Sequence, residues 1–325
     1  MKNFKLSLII VLVSIMFFST LFINCNNKAT HNIDDSLKGH ISISGAFALY
    51  PMASKWAEEY TKLYPNIKID ISAGGAGKGI TDVLSGMVDI AMVSRDISAE
   101  EIDKGAWFIA VAKDAVLPTI NSKNPYIKEI KEKGLTKDVF KDIFVTGKIK
   151  DWAKAINIQK SSYNINVFTR SDACGAAETW ARYMGVKQEN LKGVGVYGDP
   201  GMAKAVKNEK LGIGYNNVIY LYDIQTHKPV EGIDVIPIDI NKNGQIDENE
   251  NFYSVLDSIS AAIIDGRYPS PPSRELFFVL KGKPQKPHIK AFLRWILTEG
   301  QKYIKEAGYV SIAQPKIKEE LKRLN

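Results

Sequence analysis

From residue 40 onward the chain repeats one unit: a short apolar or alternating run, a turn with little side-chain bulk, and an amphipathic stretch. ISIS (41–44) is followed by GAFALY and then by PMASKWAEEYTKLY, where Pro51 opens a helix and Met52, Trp56, Tyr60 and Leu63 share a face. NIKIDIS alternates, with Ile67, Ile69 and Ile71 on one side, and SAGGAGKG leads into GITDVLSGM. VDIAMVS reads as a buried strand, and SRDISAEE starts a further helix with Ser98 as its cap. This alternation predicts an α/β fold with a largely parallel sheet. Ligands of such sheets collect beyond the carboxyl ends of the strands, where loops enter helices.

The pattern continues beyond an extended apolar passage, IAVAKDAVLPTIN (109–121). LTKDVFKDIF (135–144) is an amphipathic helix, and NINVFTR (164–170) with GAAETWARYMG (175–185) is another strand and helix. Residues 116–218 read as a second α/β lobe inserted into the first. The first lobe would then be 40–115 and 219–325, with crossings near 112–119 and 213–222. Two crossings make a two-strand hinge that brings two sets of loops face to face.

The most informative loop is TRSDACGAAETW (169–180). Arg170 ends a strand, and Ala173, Cys174, Gly175 and Ala176 enter a helix almost without side chains. Unpaired N–H groups and the positive end of a helix dipole can face a ligand only where bulk does not block them. A guanidinium beside them offers paired donors to an oxyanion, and Asp172 is placed to hold it. An ordinary strand–helix turn with a surface Arg–Asp pair is the alternative.

The N-terminus predicts export. Lys2 and Lys5 precede an apolar run, residues 6–23, and Cys25 follows. Residues 1–24 read as a lipoprotein-type signal peptide, with Cys25 as the acylated first residue and 25–39 as a polar tether. Asn24 and Phe22 depart from the usual lipoprotein pattern, and an uncleaved signal anchor is the alternative. With two cysteines in all, Cys174 alone remains in the mature chain, so no internal disulfide can form. The four histidines are scattered, which excludes a sequence-local His/Cys metal motif. The net charge is +7, yet Lys and Glu interleave along stretches such as 126–133 and 317–322. That is a solvated face, and it argues against a nucleic-acid partner. The amphipathic segment 292–309 reads as lobe packing rather than membrane contact.

Several stretches carry a family resemblance: SGAFALYP, GGAGKGI, DIAMVSRD, LTKDVFKDIFVTGKIKDW (135–152), RSDACGAAETW, LGIGYNNVIY and GRYPSPPSRELFFVLKGKP (266–284). Over roughly residues 40–310 the chain resembles the phosphate-binding proteins of ABC importers, of the two-lobed periplasmic binding-protein fold (type II). The resemblance implies a monomer that closes on inorganic phosphate and delivers it to an ABC permease, with no catalysis. It also implies four anion-holding loops. The first is Ala46, Phe47, Ala48 and Leu49, where Phe47 and Ala48 replace the family's hydroxyl residues and leave backbone donors. The second is Gly75, Ala76 and Gly77, with Lys78 as a nearby cation. The third is Ser94 and Arg95, where some relatives carry an acceptor aspartate. The fourth is Arg170 and Asp172 with Cys174, Gly175 and Ala176, where relatives read Ser-Gly-Thr. Lacking that aspartate, the site could instead take another tetrahedral oxyanion such as sulfate, molybdate or tungstate. A cysteine enzyme built on Cys174 is the remaining alternative, although no histidine lies on a nearby motif to serve as its base.

A separate stretch, DINKNGQIDENE (239–250), fits a calcium loop at every fixed position. Asp239, Asn241, Asn243, Gln245 through its carbonyl, Asp247 and Glu250 would supply the oxygens, with Gly244 at the turn. The extended flank VIPIDI predicts an isolated loop rather than a helix–loop–helix hand. It would be a structural Ca2+ site pinning a surface loop of the first lobe. The alternative is a polar Asn-Gly turn.

Overall fold

The computed structural model describes residues 37–325. The signal peptide, Cys25 and nearly all of the tether lie outside the described residues. The strands are β1 (Gly39–Gly45), β2 (Ile67–Ala73), β3 (Ile90–Val93), β4 (Ala106–Asn121), β5 (Asn166–Arg170), β6 (Val194–Val196), β7 (Gly212–Asn217), β8 (Ile233–Val235) and β9 (Ser273–Lys281). The helices of seven residues or more are α1 (Tyr50–Leu63), α2 (Ala76–Ser85), α3 (Ile127–Lys133), α4 (Gly175–Tyr183), α5 (Gly198–Asn208), α6 (Leu256–Asp265), α7 (Pro287–Leu297) and α8 (Gln314–Leu324).

The α/β architecture is the expected one, but the sheet is mixed. Its order is β2-β1-β3-β9-β4-β7-β5-β6, with β8 also on β4. The flanks are parallel: β1 pairs with β2 and β3, and β5 with β6 and β7. The centre is antiparallel, because β9 returns between β3 and β4 and β7 runs against β4. The strand–turn–helix units therefore build the two ends, and the returning strands join them.

Two cores result. One gathers Ile41, Trp56, Tyr60, Ile109, Phe278, Phe292 and their neighbours; the other gathers Val116, Phe140, Trp152, Trp180, Tyr215 and Tyr268 with theirs. β4 carries the chain from one core to the other, its residues up to Ala112 packing in the first and those from Ala115 in the second. The expected second crossing at 213–222 does not hold. Ile213, Tyr215, Val218, Leu221 and Tyr222 are second-core residues, and so are Ile233, Ile259 and Tyr268. The chain returns only after Tyr268, where β9 begins at Ser273 and pairs with β4 along the first core. β7 stays in the second lobe because it is hydrogen-bonded to the far half of β4, from Val116 to Ile120. Burying one aromatic of the size of Trp180 contributes about 3 kcal/mol. Trp180 has Phe140, Phe144, Tyr183 and Tyr215 against its ring.

The predicted calcium loop also moves with the second core. Ile246 N donates to Glu132 O at the end of α3, and Asp239 N to Leu135 O. Its expected place on the first lobe is thereby corrected.

Candidate functional site

The loops at the strand ends meet where the two cores face each other. On the first lobe, Gly45 ends β1 with φ +132°, and a Cβ there would lie 2.3 Å from Met92 O. Only glycine fits that approach. The amides of Gly74 and Gly75 both donate to Gly45 O, which folds the second loop back over β1. α2 then starts at Ala76. On the second lobe, β5 delivers Arg170, and α4 starts at Gly175 with Cys174 as its N-cap; Ala177 N donates to Cys174 Sγ at 3.4 Å.

These loops touch across the cleft. Gly77 N donates to Ala173 O at 3.1 Å. A Cβ on Gly175 would lie 2.2 Å from Ser94 O. The Phe47 ring reaches into the second lobe, 5.7 Å from the Arg170 guanidinium carbon and 5.7 Å from the Tyr197 ring centre. Tyr220 Oη donates to Phe47 O at 3.0 Å. The fold thus brings together Ala46–Leu49, Gly75–Gly77, Ser94 and residues 170–176, which are far apart in sequence. Beside them a cavity of about 370 Å3 is lined by Gly77, Arg95, Ala173, Cys174 and Gln188 among others.

The amides of Ala48, Ala76, Gly175 and Ala176 have no protein acceptor among the described residues. Three of them head α2 or α4, where helix geometry leaves the first N–H groups orphaned and the helix dipole positive. Cys174 N is not free, because it donates to Gln188 Oε1 at 3.3 Å.

The charged side chains are arranged differently from the sequence expectation. The Arg170 side chain is fully buried and held by two carboxylates. Its Nε and Nη2 donate to Asp172 at 2.8 and 2.6 Å, and its Nη1 donates to Asp199 at 2.7 Å. Burial would lower its pKa, but the Asp199 charge and the Asp172 hydrogen bond carry it above the ordinary range. Of its five N–H donors, three are taken by these carboxylates. Arg95 is turned to Glu101 in a two-pronged pair, at 2.6 and 2.9 Å, and to Glu178 of α4 at 3.1 Å. Lys78 pairs with Asp82, which also accepts from Ser44 Oγ. Arg170, Arg95 and Lys78 are therefore each matched to carboxylate partners. Physically, a cation at a half-buried strand end finds a carboxylate, since an unpaired one would cost several kcal/mol of hydration.

Two partners were not legible in advance. Asp199, nearly fully buried at the start of α5, accepts from Arg170, Asn217 N and Asn217 Nδ2. Arg274 on β9 reaches Gly175 O, Thr179 Oγ1 and Asn217 Oδ1, and lies 3.7 Å from Asp114. The only sequence signal for them was charge inside otherwise apolar or turn-rich runs, YGDPG and SRELFFVLK.

Cys174 does not present a reactive thiol. It is buried, and burial pushes its pKa up to about 12 against the partial opposition of Arg170. A thiol in that state is neither nucleophile nor metal ligand at neutral pH.

The PBP superfamily domain pattern matches residues 30–299. The chain belongs to the PBP superfamily. Among curated proteins it is similar to the phosphate-binding protein PstS of Staphylococcus haemolyticus, 26% identical over 296 residues, covering 89% of this chain and 86% of that one. It is similar also to PstS of Methanocaldococcus jannaschii, 28% identical over 335 residues, covering 83% and 82%. Among solved structures, a Clostridium perfringens substrate-binding protein with bound phosphate superposes with a TM-score of 0.69 at 24% identity, covering 85% of this chain and all of that one. An ABC-type phosphate transport receptor from Vibrio cholerae gives 0.61 at 20% identity, covering 84% of this chain. The last two likenesses establish the shared fold.

Residues 239–250 fold as a tight polar turn. Asp239 accepts from Asn243 N and Gly244 N, and Glu250 accepts from Ile240 N, Asn241 N and Asp247 N. Lys242 and Gly244 both have positive φ. Asp247 accepts from the amide groups of Asn241, Asn243 and Gln245. Among the described residues, no three His, Cys, Asp or Glu side chains form a metal cluster.

Proposed function

We propose that this chain is a non-enzymatic receptor that captures inorganic phosphate between its two lobes and delivers it to an ABC importer. The observation that carries the reading is the set of bare amides at Ala48, Ala76, Gly175 and Ala176, drawn from both sides of one cleft. Arg170 adds its positive charge beside them, and Ser94 lies against Gly175. The kinship with PstS proteins supports phosphate as the anion. Donors aimed from both lobes favour closure only with the anion in place, so capture and closure are one equilibrium. Calorimetry against phosphate, arsenate, sulfate, molybdate and tungstate tests the reading. Phosphate binds tightest if it is right, and preferential binding of sulfate, molybdate or tungstate would reassign the ligand while keeping the site.

The protein works outside the cytoplasm as a monomer, tethered by a lipid on Cys25 and facing a membrane permease. No helix of the described residues is long and apolar enough to cross a membrane. Residues 239–250 would take a structural Ca2+. Two buried carboxylates, Asp239 and Glu250, close the two ends of that turn, which supports this reading. Calcium titration of wild type and Glu250→Gln checks it: heat in the former and none in the latter is expected, and no heat in either removes the site.

A further inference from the structure

We propose that Arg274 is a positioning residue that passes its positive charge to the anion site through the Gly175–Ala176 peptide group. The inference rests on the reading that the first amides of α4 hold an anion. Arg274 belongs to β9, so it comes from the hinge rather than from any of the four loops. Its side chain is 6% exposed. Its Nη1 donates to Gly175 O at 2.5 Å and to Thr179 Oγ1, one turn along α4, at 2.9 Å. Its Nη2 donates to Asn217 on β7.

Gly175 O and Ala176 N belong to one peptide unit. A cation donating to the carbonyl draws electron density from the amide nitrogen and makes its N–H the stronger donor. The Ala176 N–H is one of the amides with no protein acceptor. Arg274 therefore acts on the ligand at one remove, while its grip on Thr179 fixes the aim of the first turn.

The two buried arginines are not equivalent. Arg170 makes three hydrogen bonds to two carboxylates. Arg274 has one carboxylate, Asp114, at 3.7 Å, and Arg274 Nε and Asp114 Oδ2 have no hydrogen-bond partner. Burial pushes the Asp114 carboxyl up to about 7, with Arg274 opposing the shift and Asp199 adding to it. The charge of Arg274 is thus the less cancelled of the two, and its outlet is the α4 peptide.

The test uses full-length protein at pH 8, above the raised pKa of Asp114. Phosphate affinity is measured by calorimetry for wild type, Asp114→Asn and the double variant Asp114→Asn/Arg274→Met, which leaves no buried unpaired carboxylate. Asp114→Asn is expected to bind phosphate more tightly than wild type. The double variant is expected to bind about tenfold or more weakly than Asp114→Asn, the scale of a lost charge-assisted contact. Its ligand-free melting temperature should fall, because Gly175 O and Asn217 Oδ1 lose a buried donor, so affinities are compared well below both melting temperatures. A double variant that binds within about twofold of Asp114→Asn overturns the proposal, because a purely structural arginine would move melting and not affinity. If the double variant does not fold, the amide proton of Ala176 in ligand-free protein decides. It should move downfield from wild type to Asp114→Asn, and an unmoved resonance overturns the proposal. Wild type that binds no phosphate would instead bring down the functional reading, and this inference with it.

Discussion

The two walls of the cleft are built on different principles. The first-lobe wall is mostly backbone: Gly45, Gly74, Gly75, Ala76 and Gly77 fold tightly, the apolar Phe47 ring crosses beside them, and Arg95 and Asp96 cross only to pair with Glu178 and Arg182. The second-lobe wall is a buried charge network of Arg170, Asp172, Asp199 and Asn217, with Arg274 and Asp114 joining it from the hinge strands. The first supplies shape and orphan donors at little electrostatic cost. The second supplies charge, but Arg170 in it is balanced by two carboxylates, and Arg274 faces Asp114 alone at 3.7 Å. A site of this kind binds an anion through aimed dipoles and residual donors rather than through net positive charge.

Removing Arg170 should break the charged wall most severely. Arg170→Ala leaves Asp172 and Asp199 buried without their cation, a change of about 3–5 kcal/mol in comparable pairs. Phosphate binding is expected to disappear from calorimetry, with a clear fall in melting temperature. Binding retained at micromolar strength would show that the charged wall is dispensable.

A change to the bare wall should separate closure from stability. Gly175→Ala puts a Cβ 2.2 Å from Ser94 O when the lobes meet. Alanine at the start of a helix is otherwise favourable. Phosphate affinity should fall by about a hundredfold, some 3 kcal/mol, with the ligand-free melting temperature unchanged or slightly raised. Equal loss of both would mean that the lobes stay shut without ligand.

Asp114 gives the charged wall a pH signature. Its folded pKa lies near 7, above the ordinary 3.8, because it is buried. Between those values the folded protein holds a proton that the unfolded chain has lost, so this group's contribution to stability falls as pH rises. The melting-temperature advantage of Asp114→Asn over wild type should therefore grow from pH 5 to pH 8. A gap that shrinks over that range contradicts the assignment.

The smallest effect is expected at the rim. Arg182 pairs with Asp96 across the cleft mouth at 2.5 Å, but both side chains are more than half exposed. Arg182→Ala should change affinity or stability by less than about 1 kcal/mol, as melting and calorimetry would show.

The bare wall was legible in the sequence and the charged wall largely was not. Small residues at a helix start are a local signal, which marked Gly175–Ala176, while Ala46–Leu49 and Gly75–Gly77 were singled out by the family resemblance. Arg170 and Asp172 were also local, two residues apart. The partners that balance the cations come from distant segments: Asp199 for Arg170, Glu178 for Arg95 and Asp114 for Arg274. Nothing in a strand–loop–helix pattern ranks such pairings. The boundary of the second lobe was missed for a related reason. The pairing of β7 with the far half of β4 is long-range and antiparallel, and it holds Ile213, Tyr215, Val218, Leu221 and Tyr222 in the second core. Residues 219–268 carry short helices and turns with few periodic cues, yet they bury Phe252, Ile259 and Tyr268 in the second core.

A crystal structure of the full chain grown with phosphate tests the central claim most directly. The account predicts phosphate oxygens about 3 Å from the amide nitrogens of Ala48, Ala76, Gly175 and Ala176, with Arg170 still paired to Asp172 and Asp199. A phosphate seated instead on Lys78, Arg95 or Arg182 at the rim, with those amides facing open solvent, would contradict it.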